Sequence, residues 1–245
     1  GAASAVTLLI AAEPKLAAFG MFYRLLETGV GGTDIYWGDM VAYLAAISLV
    51  IGNLVALVQT NLKRLLAYST ISHVGFLFMG LVSADNTGYG ASMFYAISYS
   101  LMTAAAFAAI ITLSRKGFEA EEVSDFRGLW QHNPFHALMV LFVMASLAGV
   151  PPFLGFWAKL EVIKASVVSG YTWLAILSVV TAVVGAFYYL RIIRAMFFEE
   201  PKLEAPRMHT DSHLRVIFTI NAMGLLVMGI FAEPILSWCR QAFPV

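Results

Sequence analysis

Long apolar stretches, each near the length that a helix needs to cross a bilayer, follow one another along the chain. About 20 apolar residues are enough to span the hydrocarbon core. The stretches that meet this length are residues 5–26, 40–59, 65–82, 91–113, 134–169, 173–197 and 214–238. Because a backbone in lipid must satisfy its own hydrogen-bonding groups, each stretch predicts a helix. The expected fold class is therefore all-α, a polytopic transmembrane helix bundle of about seven spans.

The composition supports an integral membrane protein. Hydrophobic residues make up 60% of the 245 residues and charged residues only 12%, which is far more apolar than a soluble domain requires. A formal net charge of +0, with the basic residues in short loops, argues against nucleic acid as a partner. The single cysteine, Cys239, excludes an internal disulfide and has no neighbours that suggest a metal site. Because the first residue is Gly1 rather than methionine, we expect a piece of a longer protein or a processed one.

The stretch 134–169 is interrupted by the sequence Gly-Val-Pro-Pro-Phe-Leu-Gly, which starts at Gly149. Paired prolines cannot continue a helix, because each lacks an N–H and restricts the residue before it. We therefore expect one discontinuous helix, broken near Val150 to Phe153, with Lys159 about one turn beyond the break. A broken span with an ionisable residue beside its gap is typical of ion-coupled transporters. The alternative is a proline kink whose lysine extends to a lipid headgroup.

The basic residues of the connections indicate the orientation, since short cytoplasmic loops are enriched in lysine and arginine. Counted alternately from the amino end, one side receives Lys63, Arg64, Arg115, Lys116, Arg127, Arg191, Arg194, Lys202, Arg207 and Arg215. The other side receives only Arg24 and Arg240. We therefore expect the amino terminus in the cytoplasm (or matrix) and the carboxyl terminus on the opposite, periplasmic side. The same count indicates that residues 134–169 form one interrupted span. If they made two crossings, the basic residues that follow would lie on the outside, against the charge bias.

Three lysines fall inside the predicted spans. Lys15 is too deep to reach an interface easily, so it either faces a functional cavity or forms a buried structural ion pair. Lys159 belongs to the broken span, and Lys164 is expected to extend to the lipid–water interface. Glu13 and Glu161 each lie two positions from a lysine, on roughly opposite helix faces. Neither glutamate is therefore an obvious partner within its own helix.

His73 lies near the middle of the third stretch, among hydroxyl-bearing residues. An imidazole can donate and accept hydrogen bonds at once, so it suits a proton relay; the alternative is a core histidine bonded to a carbonyl. In the next stretch Tyr95 and Tyr99 are four residues apart and share a helix face. Their hydroxyls could line a water wire or hold helices together. The candidate site residues are Lys15, Lys159, His73, Tyr95 and Tyr99.

Five segments, in the same order along the chain, resemble the antiporter-like membrane subunits of proton-pumping NADH:quinone oxidoreductase, respiratory complex I. They are PKLAAFGMFYRLL (14–26), GNLVALVQTNLKRLLAYSTISHVGF (52–76), FRGLW (126–130), SLAGVPPFLGFWAK (146–159) and YYLRIIRAMF (188–197). Within that family they are most similar to the subunit N group, the counterparts of mitochondrial NADH dehydrogenase subunit 2. Since the segments cover nearly the whole chain, the resemblance is more specific than a single short motif.

The resemblance implies the second half of an inverted-repeat antiporter-like fold, the C-terminal half of a longer subunit. The chain would form a single transmembrane domain, 1–245. Residues 1–39 would contain the helix that closes the first repeat, 40–198 the second repeat, and 199–245 a linker and the last helix. The first repeat, with its own lysine and glutamate, would lie outside this sequence, so the chain alone would not hold a complete proton route.

The resemblance also implies roles for single residues. Lys15 matches a central lysine of the family, Lys159 the lysine of the broken helix that faces the exit path, and His73 a histidine of another helix. These residues would carry protons along a hydrated axis in the middle of the membrane. Burial disfavours the charged form of a lysine, and a nearby carboxylate favours that form. The movement of a charge near a lysine could therefore switch it between holding and releasing a proton. Glu13 departs from the small residue expected there and leaves the local charge of Lys15 open.

The implied function is that of a proton-translocating membrane-arm subunit of NADH:quinone oxidoreductase, driven by redox chemistry in other subunits. We expect no metal, cofactor or redox site in this chain; flavin, iron–sulfur clusters and quinone would belong to partner subunits. The expected partners are the other membrane-arm subunits, the N-terminal half of the same subunit and lipids. The expected location is the bacterial inner (plasma) membrane, ahead of the mitochondrial inner membrane, because the spans are rich in alanine and poor in charge.

Alternative functions are also considered. A subunit of a multi-subunit cation/proton antiporter would share the fold, and sodium-dependent transport would favour it. A structural membrane subunit would hold its lysines in static ion pairs. A seven-helix retinal protein needs a lysine in its last helix, and the stretch 214–238 has none.

Overall fold

The computed structural model describes residues 4–29, 34–114, 119–201 and 212–243. Its helices are α1 (Ser4–Arg24), α2 (Asp34–Leu57), α3 (Leu62–Leu81), α4 (Asn86–Leu113), α5 (Leu129–His132), α6 (Pro134–Ala148), α7 (Leu154–Val168), α8 (Thr172–Phe198), α9 (Ser212–Ile230) and α10 (Ala232–Gln241). A π-helical turn, Leu25–Gly29, extends α1, and a 3₁₀ turn, Val123–Phe126, precedes α5. Within these described ranges every regular element is a helix, which confirms the all-α class.

The helices confirm a multi-pass membrane protein with about seven spans. Of the helices described, α1, α2, α4, α8 and α9 are long and apolar enough to cross a membrane. The predicted third span is α3, which is 20 residues long. The predicted broken span is the pair α6 and α7, separated by residues 149–153. The break therefore lies where the paired prolines predict it.

The last span is shorter than the predicted stretch 214–238. Helix α9 ends at Ile230, and the separate helix α10 begins at Ala232. In a continuous helix Pro234 would remove a hydrogen bond and its ring would clash with the carbonyl of Ile230, four residues earlier. In the first turn of a new helix proline is tolerated. The prediction of one continuous helix over 214–238 was wrong, and Pro234 was the overlooked signal.

Polar residues at helix starts explain two of the boundaries. Asn61 precedes α3, and its side chain accepts a hydrogen bond from the Arg64 amide at 3.0 Å. Asn133 precedes α6 and accepts from the His136 amide at 3.1 Å. Such caps satisfy amides that have no partner within the helix. Pro134 occupies the first position of α6, where no N–H is required.

Helix α4 lies at the centre of the bundle. It contacts α1, α3, α7, α9 and α10, whereas α2 packs mainly on α3 and α8. The sequence of α4 is rich in glycine, alanine and serine, and such small residues allow helices to approach closely in a membrane. The outward faces of α2, α8 and α9 carry large exposed apolar side chains, as lipid-facing surfaces do.

Two glycines allow α2 and α3 to cross at short range. A Cβ atom added to Gly52 would lie 2.4 Å from the backbone nitrogen of Ser72. One added to Gly75 would lie 2.8 Å from the carbonyl oxygen of Ala45. Both neighbours are backbone atoms, so neither can move aside without displacing a helix. The close contact of α2 and α3 therefore depends on these glycines.

Basic residues that the charge count assigns to one side lie close together. Lys63 pairs with Glu119 and Glu121, and Arg191 donates to the carbonyl of Gln59 at the turn between α2 and α3. The hydrogen bond from Lys63 lowers the pKa of Glu121, in the connection before α5, to about 2. These contacts support the predicted grouping of the basic residues. The orientation of the bundle in the membrane stays a prediction.

Replacing Gly52 by alanine is expected to destabilise the protein by about 1–3 kcal/mol, the usual cost of forcing extra atoms into a packed contact. The matched control is Gly20→Ala in α1, where an added Cβ meets nothing within 4 Å. Thermal unfolding of the detergent-solubilised protein, followed by size-exclusion chromatography, measures the difference. Equal stability of the two variants would contradict the close contact between α2 and α3.

Candidate functional site

The broken helix brings Lys159 to free carbonyls at the end of α6. The last four carbonyls of a helix have no partner within it. The amide of Gly149 binds two of them. The other two, of Leu147 and Ala148, accept hydrogen bonds from Lys159 Nζ at 2.9 and 3.0 Å. The lysine therefore completes the backbone hydrogen bonding that the break leaves open.

Gly149 leaves space for this lysine. Its φ of +84° lies in the left-handed region that favours glycine. A Cβ atom there would lie 2.9 Å from Lys159 Cδ and 3.1 Å from Nζ. The lysine is only 9% exposed, and its Nζ lies 5.4 Å from the centre of the Phe76 ring. The amine is thus held inside the bundle rather than at a lipid headgroup.

Lys15 extends from α1 to α4. Its Nζ lies 4.5 Å from the centre of the Tyr99 ring, a distance typical of a cation–π contact. Pro14 lies within α1 without ending the helix. The side chain of Glu13 lies outside those that the structure describes, so its relation to Lys15 stays a prediction.

His73 is enclosed by tyrosines. Its Nδ1 lies 2.7 Å from the hydroxyl of Tyr95, and its Nε2 lies 3.3 Å from the hydroxyl of Tyr189. The imidazole stacks on the Tyr99 ring, with 4.3 Å between the ring centres. Both ring nitrogens therefore meet hydroxyl groups, not the backbone carbonyl of the core-histidine alternative.

All the predicted site residues lie in one continuous group of contacts. We call its centre the tyrosine–histidine cluster, which consists of His73, Phe76, Tyr95, Tyr99 and Tyr189. Within it Phe76 stacks on Tyr95, with 5.9 Å between the ring centres. Lys15 reaches the cluster at Tyr99, and Lys159 reaches it at Phe76. Two lysines from separate helices thus contact the same buried group.

A second hydrogen-bonded chain was not identified from the sequence. Tyr188 donates to Asn53 Oδ1 at 3.0 Å, and Asn53 Nδ2 donates to Ser72 Oγ at 2.7 Å. Tyr188 packs on Tyr189, with 4.6 Å between the ring centres, so the chain ends at the tyrosine–histidine cluster. The available signal was an asparagine in the middle of an apolar stretch, where a polar side chain needs a partner.

Lys164 and Glu161 form a contact that the sequence analysis did not anticipate. Lys164 Nζ lies 2.8 Å from Glu161 Oε1, and Arg240 of α10 lies 2.9 Å from Oε2. The interpretation that Glu161 is not an obvious partner within its own helix was wrong, because a spacing of three residues places Lys164 on the same face. The Lys164 side chain is 57% exposed, as expected for a residue near an interface.

The chemistry of the site is that of proton-bearing groups. Amines and an imidazole gain and lose protons, and phenol hydroxyls can pass them on. In the part of the chain that the structure describes, no three His, Cys, Asp or Glu side chains lie close enough to hold a metal ion.

Comparison with known sequences supports the resemblance. A family model described as NADH:quinone oxidoreductase/Mrp antiporter, TM, matches residues 1–185. NADH-quinone oxidoreductase subunit N of Xanthomonas euvesicatoria pv. vesicatoria (strain 85-10) is 52% identical over 243 residues, 99% of this chain and 50% of that protein. The chain therefore spans about half the length of the curated relatives it matches.

Solved structures share the helix arrangement. A chain of respiratory complex I from Thermus thermophilus with bound Aureothin matches with a TM-score of 0.72 at 34% identity, covering 81% of this chain and 45% of that one. A chain of the Mrp complex from Dietzia sp. DQ12-45-1b matches with a TM-score of 0.86, covering 98% of this chain and 52% of that one. Its 21% identity shows a shared fold alone. These matches confirm the antiporter-like fold, and the chain belongs to the NADH:quinone oxidoreductase/Mrp antiporter transmembrane family.

Proposed function

We propose that this chain is part of the proton-translocating membrane arm of NADH:quinone oxidoreductase, with Lys15 and Lys159 as proton-loading groups. The observation that carries the proposal is the geometry of Lys159. A protonated amine has three N–H donors, and two of them bind the carbonyls of Leu147 and Ala148. A neutral amine keeps two donors, so Lys159 can release a proton without losing either hydrogen bond. The site therefore accommodates both charge states of the lysine.

His73 supports transfer between the two lysines. Because Tyr95 and Tyr189 meet its two ring nitrogens, the imidazole can receive a proton on one side and give it up on the other. Ring contacts bring this imidazole near both lysines: Tyr99 stacks on it and lies against Lys15, and Tyr95 stacks on Phe76, which lies against Lys159. The Tyr95 hydroxyl then has a role beyond joining helices.

Lys15 differs from Lys159 in what surrounds it. The face of the Tyr99 ring lies against Lys15, whereas two backbone carbonyls accept hydrogen bonds from Lys159. Both surroundings favour the cation, but by different interactions, a cation–π contact at Lys15 and charge-assisted hydrogen bonds at Lys159. A difference in proton affinity between two sites gives transfer a direction, which changes when a charge moves nearby. The energy would come from redox chemistry in other subunits, where flavin, iron–sulfur clusters and quinone would be bound.

The family and the relatives support the assembly and location proposed for the chain. Two relatives named NADH-quinone oxidoreductase subunit N are 52% and 47% identical to the chain, so the partners would be other complex I subunits, together with the N-terminal half of the same subunit and lipids. The chain would lie in a bacterial inner membrane with its amino terminus in the cytoplasm, and residues 40–198 would be the second repeat.

Replacing Lys159 by alanine is expected to lower proton pumping by the assembled enzyme about tenfold or more, because positioned proton-transfer groups contribute at least this much. NADH-driven quinone reduction should fall with it while assembly is retained. Lys159→Met, which keeps most of the side-chain volume, separates lost titration from a new cavity. Arg194→Ala is the control, since that side chain is 76% exposed. Normal pumping by the methionine variant would contradict the proposal.

Replacing Tyr95 by phenylalanine removes the hydroxyl beside His73 Nδ1. Because a positioned proton-transfer group contributes at least tenfold to such a rate, we expect pumping to fall about tenfold. The control is Tyr43→Phe, a tyrosine that is 63% exposed on α2. Proton uptake by inside-out vesicles, normalised to assembled enzyme, measures both. If Tyr95→Phe and Tyr43→Phe pump equally well, the relay through His73 is wrong.

A subunit of a cation/proton antiporter is the second candidate, because the family description includes Mrp antiporters and an Mrp chain shares the fold. We expect proton transport by vesicles with the assembled complex to be unchanged when sodium is replaced by choline. Transport that requires sodium would instead favour the antiporter.

A further inference from the structure

A mostly buried carboxylate, Glu161, lies in the middle of α7, two residues beyond Lys159. The Glu161 side chain is 9% exposed, and its Oε2 accepts from Arg240 at 2.9 Å. Its Oε1 accepts from Lys164 at 2.8 Å. Both carboxylate oxygens thus bind cations, and the bond from Arg240 reaches α7 from a different helix, α10.

Helix α10 is anchored by close packing on the rest of the bundle. A Cβ atom on Gly90 of α4 would lie 3.1 Å from the Arg240 Cα atom, so the two backbones are nearly in contact. Phe243, just beyond α10, packs on Tyr23 of α1 with 4.8 Å between the ring centres. The carboxyl-terminal segment therefore contacts α1, which carries Lys15, and α7, which carries Lys159.

Lys159 and Glu161 hold α7 from two directions. Since each helical residue turns by about 100°, side chains two positions apart point about 200° apart. Lys159 binds the end of α6, and Glu161 binds Arg240 of α10. A rotation of α7 about its axis would have to break hydrogen bonds on both sides.

Lys164 cannot replace Arg240 in this role. It belongs to α7 itself, so its bond to Glu161 moves with the helix and does not fix the helix relative to its neighbours. The Lys164 side chain is 57% exposed and that of Arg240 is 43% exposed, so solvent weakens both pairs and the difference between them lies in the helices they join. Of the two ion pairs that Glu161 makes, the contact with Arg240 is therefore the one that joins α7 to another helix.

We propose that Glu161 and Arg240 form a latch, the α7 latch, which sets the rotation of α7 and keeps the Lys159 amine at the carbonyls of Leu147 and Ala148. Both members are positioning residues that act through Lys159 and carry no proton themselves. The inference rests on the proposed function of Lys159. It makes the carboxyl-terminal helix α10 a determinant of proton coupling.

The test uses Arg240→Gln, Glu161→Gln and the double variant, each in the full subunit within the assembled enzyme. Protons translocated per NADH oxidised should fall about fivefold in each single variant, while assembly is retained. The double variant should lose no more than the worse single variant, because the two residues act through one contact. Arg240→Lys, which keeps a cation, should restore most of the coupling.

The matched control is Glu233→Gln. Glu233 is also on α10, 3.5 Å from Arg240, but its side chain is 75% exposed, so its loss should leave coupling unchanged. Equal losses in Glu233→Gln and Arg240→Gln, losses that follow the amount of assembled enzyme, or no rescue by Arg240→Lys would overturn the latch. Lys159→Ala in the same preparation distinguishes the two proposals. If it abolishes pumping while Arg240→Gln pumps normally, only the latch fails; if it pumps normally, the proposed function fails.

Discussion

The free carbonyls at the end of α6 are the constraint on which the site depends. A helix broken inside a membrane leaves polar backbone groups that lipid cannot satisfy. Here the amide of Gly149 and the amine of Lys159 supply the donors. A buried amine needs acceptors as much as the carbonyls need donors. The break and the lysine therefore stabilise each other, and a titratable group is kept inside the bundle.

The same requirement organises the tyrosine–histidine cluster. Its polar groups come from α3, α4 and α8, and each finds a partner on another helix, as His73 does with Tyr95 and Tyr189. Such contacts need helices at short range, which the small residues of α4 and the glycines of α2 and α3 provide. Close helix packing is thus what allows these polar groups to reach one another inside the membrane.

The segment after α9 shows how a short element can join distant parts of the bundle. Pro234 ends the long helix and starts α10, whose Arg240 then reaches Glu161 while Phe243 packs against α1. A continuous span over the same residues would have carried Arg240 elsewhere. One proline therefore decides which helices the carboxyl end can contact.

The all-α class, the approximate number of spans, the position of the break and five of the residues that gather at the site could be predicted from the sequence. Each follows from a local rule. An apolar run in lipid forms a helix, paired prolines end a helix, and an ionisable residue at membrane depth usually faces the protein interior or a functional cavity. The two errors, over 214–238 and at Glu161, were also local, because Pro234 and the spacing to Lys164 are visible in the sequence.

Which groups meet could not be predicted from the sequence, because it depends on how the helices pack in three dimensions. Lys159 finds its carbonyls 12 and 11 positions away, and His73 finds its hydroxyls 22 and 116 positions away. Such pairs depend on the rotation and depth of each helix relative to its neighbours. Those quantities are set by the packing of many side chains at once, and no local pattern in a single sequence specifies them.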